Sequence, residues 1–408
     1  MNIKDRFLKY VSFDTQSDEK STTAPSSLKQ LELAKYLQEE MKTVGIENAS
    51  VDDYGIVYGT IPANQEQHGR TVGFIAHMDT SPDASGKDIH PQLISDYDGK
   101  TIILNEQLGL KLDPEEFPHL LQYVGHEIIT TDGTTLLGAD DKAGVAIIMQ
   151  MAEYLHTHPE VKHNDIQIAF TPDEEVGRGT ENFDVKRFHA DYAYTIDGGD
   201  IDAVEFENFN AFSAVVEING KSIHPGSAKN KMINSIHISQ EFDAMLPVHA
   251  RPESTEGYEG FNHLHDIHGN CDKTVMEYII RNHDLALAKK QCQSFEDIAE
   301  FLNKKYGYPM IKVTIKQSYL NMKEHIVKQM YVVDHAVKAL KACDIEPKFV
   351  PIRGGTDGAN LTYMGLPCPN LGTGGANYHG PFEYVSLTAM KKQVEVLLKL
   401  VEINKEEL

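Results

Sequence analysis

Thr71-Val-Gly-Phe-Ile-Ala-His77-Met-Asp79 is the stretch on which the reading of this chain turns. Its first six residues form a short, nearly continuous apolar run, as a buried central strand requires. The run ends at once in a histidine and, two residues on, an aspartate. Downstream lie Gly138-Ala-Asp140-Asp141, Pro172-Asp173-Glu174-Glu175, Ile196-Asp197-Gly198-Gly199 and Tyr378-His379-Gly380. Each stands beside an apolar run that reads as a strand, so these side chains would hang from strand ends of one sheet. Two imidazoles and several carboxylates gathered there suit paired divalent cations, zinc by ligand type. A lone His-x-Asp would mean little; five such motifs in order imply a metallohydrolase.

Outward from that run, residues 3–11 and 26–44 carry apolar side chains at helical spacing, and Gly45 is placed to end the second helix. Residues 88–124, rich in Pro, Asp and Gly, read as an excursion of edge strands and loops. A helix follows the Asp140-Asp141 turn at 143–155, and buried strands fall at 166–170 and 192–196. Strands alternating with helices imply a largely parallel α/β sheet, which binds ligands at the carboxyl ends of its strands. The pattern then changes. Strand 212–218, helix 232–246, strands 258–267 and 274–281, helix 285–306 and strand 310–318 give the order β-α-β-β-α-β of a ferredoxin-like module. Helix resumes at 326–343, and the Gly-rich 353–380 segment leads back to the metal motifs. The expected organisation is a discontinuous catalytic domain, 1–209 and 321–408, with an inserted lid domain at 210–320.

At 408 residues the chain exceeds one comfortable core, which also favours two domains. Its formal charge of −23 argues against a nucleic-acid or anionic-membrane partner. The four cysteines form no Cys-x-x-Cys pair, so neither a thiolate zinc site nor a disulfide framework is expected. The N-terminus turns polar at once, and no segment approaches the roughly 20 apolar residues that span a bilayer. A cytoplasmic protein is expected.

A two-metal hydrolase needs a carboxylate bridging cations about 3.5–4 Å apart, and a further carboxylate left free to act on water. Asp140 suits the bridge, at a tight turn before a helix, although capping that helix is an equal reading for Asp140 taken alone. Asp141 beside it could cap the helix instead. Consecutive side chains on an extended segment point opposite ways, so Glu175 is assigned to metal and Glu174 to general base. Asp79 would face the same way as His77 and hydrogen-bond the ring nitrogen that binds no metal. His263, His265 and His268 read as a solvated strand face. His224, in Ser-Ile-His-Pro-Gly, is open between a catalytic lid residue and a turn residue.

Taken together, His77-Met-Asp79, Gly138-Ala-Asp-Asp-Lys-Ala-Gly144, Asp173-Glu-Glu-Val-Gly177, Ile196-Asp-Gly-Gly199 and Arg353-Gly-Gly-Thr-Asp-Gly358 resemble the zinc aminopeptidase family that includes aminoacylases and carboxypeptidase G-type enzymes. The likeness covers nearly the whole chain. Thr171-Pro-Asp-Glu-Glu-Val-Gly, Glu205-Phe-Glu-Asn-Phe-Asn210, Thr255-Glu-Gly-Tyr-Glu-Gly-Phe261 and Cys368-Pro-Asn370 are similar to its cytoplasmic tripeptide aminopeptidases. The resemblance implies two zinc ions per subunit, with His77 and Asp197 on one, Glu175 and His379 on the other, and Asp140 shared. It implies Glu174 as base, Asp79 orienting His77, a cis peptide after Asp140, and His224 steadying the oxyanion. Arg281 on the lid and Arg353 on the catalytic domain would hold the substrate carboxylate, a task suited to guanidinium forks. Their placement on different domains suggests a ruler for short peptides. Some relatives pair through the lid, so a homodimer lending His224 across the interface is a further expectation. A deacylase or carboxypeptidase on the same metals, or a lapsed peptide-binding protein, are the rival readings.

Overall fold

Every residue from Val72 to His77 is buried, which a strand achieves only in a sheet covered on both faces. In the computed structural model, which describes residues 1–66 and 69–406, this strand runs parallel to Ile166–Thr171 on one side and Tyr192–Gly198 on the other. Asn370–Gly372 continues the parallel set. These four are the centre of an eight-stranded sheet. Val57–Ile61 and Glu47–Val51 extend one edge antiparallel. Ala203–Glu205, antiparallel to Asn370–Gly372, and Lys348–Phe349 extend the other.

Alternating side chains serve both faces. Phe74 stacks on Tyr194, with ring centroids 6.2 Å apart. The helix Ala139–Thr157 packs against their strands, with Ile3–Val11, Tyr331–Ala342 and Leu387–Glu406 in the same helical group. Ile75, Ala169 and Ala193 instead join Phe183, Phe188, Leu361 and Leu366 in a separate apolar cluster. The 88–124 excursion supplies Gln92–Ile94 to a small antiparallel sheet with Ile128–Thr130, Tyr384–Ser386 and Gly375–Ala376.

Contacts divide the chain into two units: Met1–Phe206 with Glu324–Val350 and Thr356–Leu408, and Glu207–Lys323 with Pro351–Gly355. The second has the expected β-α-β-β-α-β order. Its four strands, Asn210–Asn219, Phe261–Gly269, Lys273–Asn282 and Ile311–Tyr319, are all antiparallel, with Asn210–Asn219 and Lys273–Asn282 innermost. Every second residue of Asn210–Asn219, from Phe212 to Ile218, is buried in a core with Phe242, Phe295 and Leu302 of the helices Ser235–Met245 and Leu285–Tyr306. The shorter first helix begins where Asn234 accepts the Ile236 N–H.

One segment departs from the sequence expectation. Pro351–Gly355 belongs with the second unit, whereas the sequence places Arg353 in the outer 321–408 piece. Ile352 holds it there through Glu207 and His283, and so does the arginine. Its Nη1 donates to the carbonyls of Gly257 and Glu259 at 2.7 and 3.0 Å, and its Nη2 to Thr255 Oγ1 at 2.9 Å. Phe209 and Phe261 lie against the guanidinium.

Candidate metal centre

Parallel pairing places His77 opposite Thr171, so His77 and the Asp173-Glu174-Glu175 turn leave the sheet at the same end. Asp197 emerges there from the neighbouring strand. The helix beginning near Asp140 is brought to that point by Gly144. A Cβ on Gly144 would lie 1.8 Å from the Ile196 carbonyl oxygen, so no larger residue lets helix and strand approach so closely. Ahead of it, Gly138 is left-handed and the Asp140–Asp141 peptide is cis, as the family resemblance implies.

Two rings flank Asp140. His77 Nε2 lies 2.8 Å from Asp140 Oδ1 and 3.4 Å from Asp197 Oδ1. His379 Nε2 lies 3.5 Å from Asp140 Oδ2 and 2.9 Å from Glu175 Oε2. Each ring's Nδ1 has an aspartate 3.3 Å away: Asp79 for His77, Asp83 for His379. All five residues expected to bind metal are thus gathered around one carboxylate.

Among the described residues, two donor groupings could hold a cation, His77-Asp140-Glu175 and His77-Asp141-Asp197. Asp141 is the weaker candidate, because its carboxylate is already engaged. Its Oδ1 accepts the Gly144 N–H at 3.1 Å and its Oδ2 the His77 N–H at 3.2 Å. Asp141 caps the helix, and Asp140 faces the histidines.

The charge balance calls for a cation. Burial pushes Glu175 and Asp197 up to about 7, with Asp140 adding to both. Burial likewise lifts Asp357 to about 6. Burial also opposes charge on His77, yet Asp197, Asp140 and Asp79 outweigh it and hold the ring well above its ordinary range. Asp140 and Glu175 push His379 up to about 11. Glu175 Oε1 is buried without a hydrogen-bond partner. Two outer acids forced upward, a central Asp140 held down by its two rings against burial, and an orphaned oxygen describe a donor set built for positive charge.

Glu174 and Glu175 do not lie on an extended segment, as the sequence suggests. They form a 3-10 turn, Glu174–Val176, entered through a left-handed Asp173. Asp79 makes that turn: its oxygens accept the N–H groups of Glu174 and Glu175 at 3.0 and 3.2 Å. One buried aspartate therefore stands beside His77 and fixes the turn as well. Burial, then Asp197, Asp357 and Glu175, hold the Glu174 carboxyl well above the usual carboxylate range.

In the second unit, His224 Nδ1 accepts the Gly226 N–H at 3.1 Å, capping its own turn and leaving the neutral ring's proton on Nε2. Arg281 Nη1 donates to the carbonyls of Phe212 and Ile280. Arg281 and Arg353 lie in one unit, which removes the two-domain argument for a ruler.

Three supporting carboxylates escaped the sequence reading. Glu383 accepts the N–H groups of Leu137, Gly138 and Asp140 at 2.6–3.0 Å and so sets the Asp140 turn. Each of those N–H groups left unpaired would cost about 1–3 kcal/mol. Asp173 accepts from Ser26 N and Oγ and from Gln30 Nε2, tying the N-terminal segment to the Glu174 turn. Asp357 accepts from Thr171 Oγ1 at 2.7 Å. The available signal was an acid directly before a fully buried run, as Glu383 stands before Tyr384–Ser386.

A mostly parallel α/β sheet with a strand-end histidine, a loop-borne histidine and a carboxylate between them is a layout suited to a metallopeptidase. The chain belongs to peptidase family M20/M25/M40, whose profile matches residues 131–403, and it is a hydrolase acting on peptides. It is 52% identical over 404 residues to Peptidase T of Clostridium acetobutylicum, covering 99% of each chain. Among solved structures it is similar to the aminopeptidase PepT from Bacillus cereus (TM-score 0.77, 23% identity, 98% of each chain). It is also similar to a tripeptidase from Staphylococcus aureus (TM-score 0.79, 21% identity, 99% of this chain and 98% of that one). Among the described residues, no helix is long and apolar enough to cross a membrane.

Proposed function

We propose that this chain is a cytoplasmic aminopeptidase that releases the N-terminal residue from tripeptides, using two zinc ions per subunit. The observation that carries this reading is Asp140, which turns one carboxylate oxygen toward His77 Nε2 and the other toward His379 Nε2. His77 and Asp197 would hold one ion, and Glu175 and His379 the other. When bound, the pair polarises the scissile carbonyl and lowers the pKa of the attacking water.

The remaining work falls to side chains. Glu174, raised by burial, accepts the water's proton and returns it to the leaving amine. Asp79 keeps Glu174 in place through its backbone N–H. Residues 1–209, 321–350 and 356–408 act as catalytic domain, and 210–320 with 351–355 as lid; His224 of the lid is the proposed oxyanion residue, its neutral ring keeping an Nε2–H as donor. Arg281 suits the substrate carboxylate better than Arg353, whose two Nη atoms are engaged with the Thr255–Glu259 loop. The outer edge of Phe261–Gly269 is a sheet edge that a second copy could meet in a homodimer.

The test is hydrolysis of a tripeptide with both products identified, before chelation, after it and after zinc is restored. Release of the N-terminal residue, lost and regained with zinc, is the expected outcome; release of the C-terminal residue would sink it in favour of a carboxypeptidase. Comparing di-, tri- and tetrapeptides with Arg281→Ala tests length selection, and unchanged discrimination would remove Arg281 from it.

A further inference from the structure

The loop Asp79-Thr80-Ser81-Pro82-Asp83 supplies an aspartate to each histidine of the site. Asp79 Oδ1 stands 3.3 Å from His77 Nδ1, and Asp83 Oδ2 stands 3.3 Å from His379 Nδ1. In both rings the opposite nitrogen, Nε2, is the one turned toward Asp140. The loop is held rigidly enough for this. Gln16 Nε2 donates to the carbonyls of Ser81 and Ala84 at 3.2 and 2.9 Å, and the Asp83 N–H donates to Ser81 Oγ. His379 is itself fixed in a left-handed conformation, φ 64°.

We propose that Asp83 is the positioning residue of the His379 half-site: its carboxylate takes the Nδ1–H side of the ring and leaves Nε2 for the cation shared with Glu175 and Asp140. This rests on the reading that His379 is a ligand. A carboxylate beyond a ligating histidine fixes its tautomer and orientation and raises its basicity. The two half-sites differ in shelter. Asp79 is fully buried, whereas the Asp83 side chain is 67% exposed and the His379 side chain 41%. Water competes for the Asp83–His379 contact, so the His379 half-site holds its cation less tightly and releases it first.

The experiment is zinc uptake by the full-length apo protein, read by equilibrium dialysis with metal analysis, with the cobalt absorption spectrum as a second readout of ligand geometry. Asp83 is exposed, so its variants are expected to fold. Wild type should take up two equivalents and His379→Ala one. Asp83→Ala should keep the first and weaken the second about 10-fold, with Asp83→Glu restoring most of the loss. Second-equivalent affinity in Asp83→Ala within about twofold of wild type would overturn the role of Asp83 while leaving His379 a ligand. Two equivalents of unchanged affinity in His379→Ala would overturn the ligand reading and this inference with it.

Discussion

The two histidines that flank Asp140 stand on opposite kinds of backbone. His77 ends a strand buried at every position, its side chain is 2% exposed, and its companion Asp79 is fully buried. His379 sits on a left-handed turn in a Gly-rich loop, 41% exposed, beside an aspartate that water reaches. Strand pairing fixes the first to within the register of a sheet. The second stands on a turn just past the short Gly375–Ala376 strand, anchored by the Tyr378 hydroxyl to the Gly198 carbonyl but open to solvent at the ring. The difference predicts a tight, preformed half-site and an exchangeable one, joined by Asp140.

The largest effect should come from the proposed base. Glu174→Gln is expected to lower kcat by about 10²–10⁴-fold while zinc content stays at wild-type level. Near-normal turnover in that variant would refute the base assignment, and lost zinc would mean Glu174 is a ligand instead. Asp79→Ala comes next and reaches both halves, through His77 and through the turn that carries Glu175. It removes both the partner of His77 and the acceptor of two N–H groups in the Glu174 turn, so first-equivalent zinc affinity should fall by about 100-fold, the upper end for such residues. An Asp79→Ala loss no greater than that of Asp83→Ala would erase the proposed asymmetry.

The pH dependence should fall on both halves alike. Asp197 beside His77 and Glu175 beside His379 are each pushed up to about 7, burial being the first cause. A raised carboxyl keeps its proton below that value, and an incoming cation must displace it. Uptake is therefore strongest above pH 7 and weakens as pH falls through it, by about tenfold per unit for each proton displaced. Zinc titrations of the apo protein in weakly buffered solution should release more protons near pH 6 than near pH 8, the difference coming from Asp197 and Glu175, while protons held on His77 and His379 are displaced at both. A pH range that empties only one half would show that shelter, rather than the shared acid chemistry, governs protonation.

How much of this could be read in advance follows the same division. Thr71–Ala76 and 192–196 are continuous apolar runs, and such runs have few places to go but the middle of a covered sheet. The alternation along 212–218 marks a sheet with one covered face just as directly. His77, Asp197 and Glu175 could be read because each directly follows, or turns away from, such a run, whereas His379, in a Gly-rich loop, was legible only through its motif. Asp83, Glu383 and Asp173 act on segments far away in sequence, His379, Leu137–Asp140 and Ser26–Gln30, and no local pattern records a partner hundreds of residues distant. The surroundings of Arg353 were illegible for the same reason. Its motif suggests a substrate clamp, while its contacts with Thr255, Gly257 and Glu259 are visible only once the chain is folded.

The smallest predicted effect is also the most selective. An exposed ion pair is screened once the Debye length shrinks from about 10 Å at 0.1 M salt to about 3 Å at 1 M, whereas a buried one is screened much less. Asp83 and His379 are on the exposed side of that line, and Asp79 and His77 on the buried side. Repeating the zinc dialysis at 1 M salt should shrink the penalty of Asp83→Ala from about 10-fold to a few-fold. The Asp79→Ala penalty should hardly move, because no salt reaches it. If both penalties shrank together, the His77 side would be as open to solvent as the His379 side, and the contrast between strand-borne and loop-borne ligand would have no energetic content. If neither shrank, Asp83 would act by shaping its loop rather than by its charge, and Asp83→Asn should then bind zinc as well as wild type.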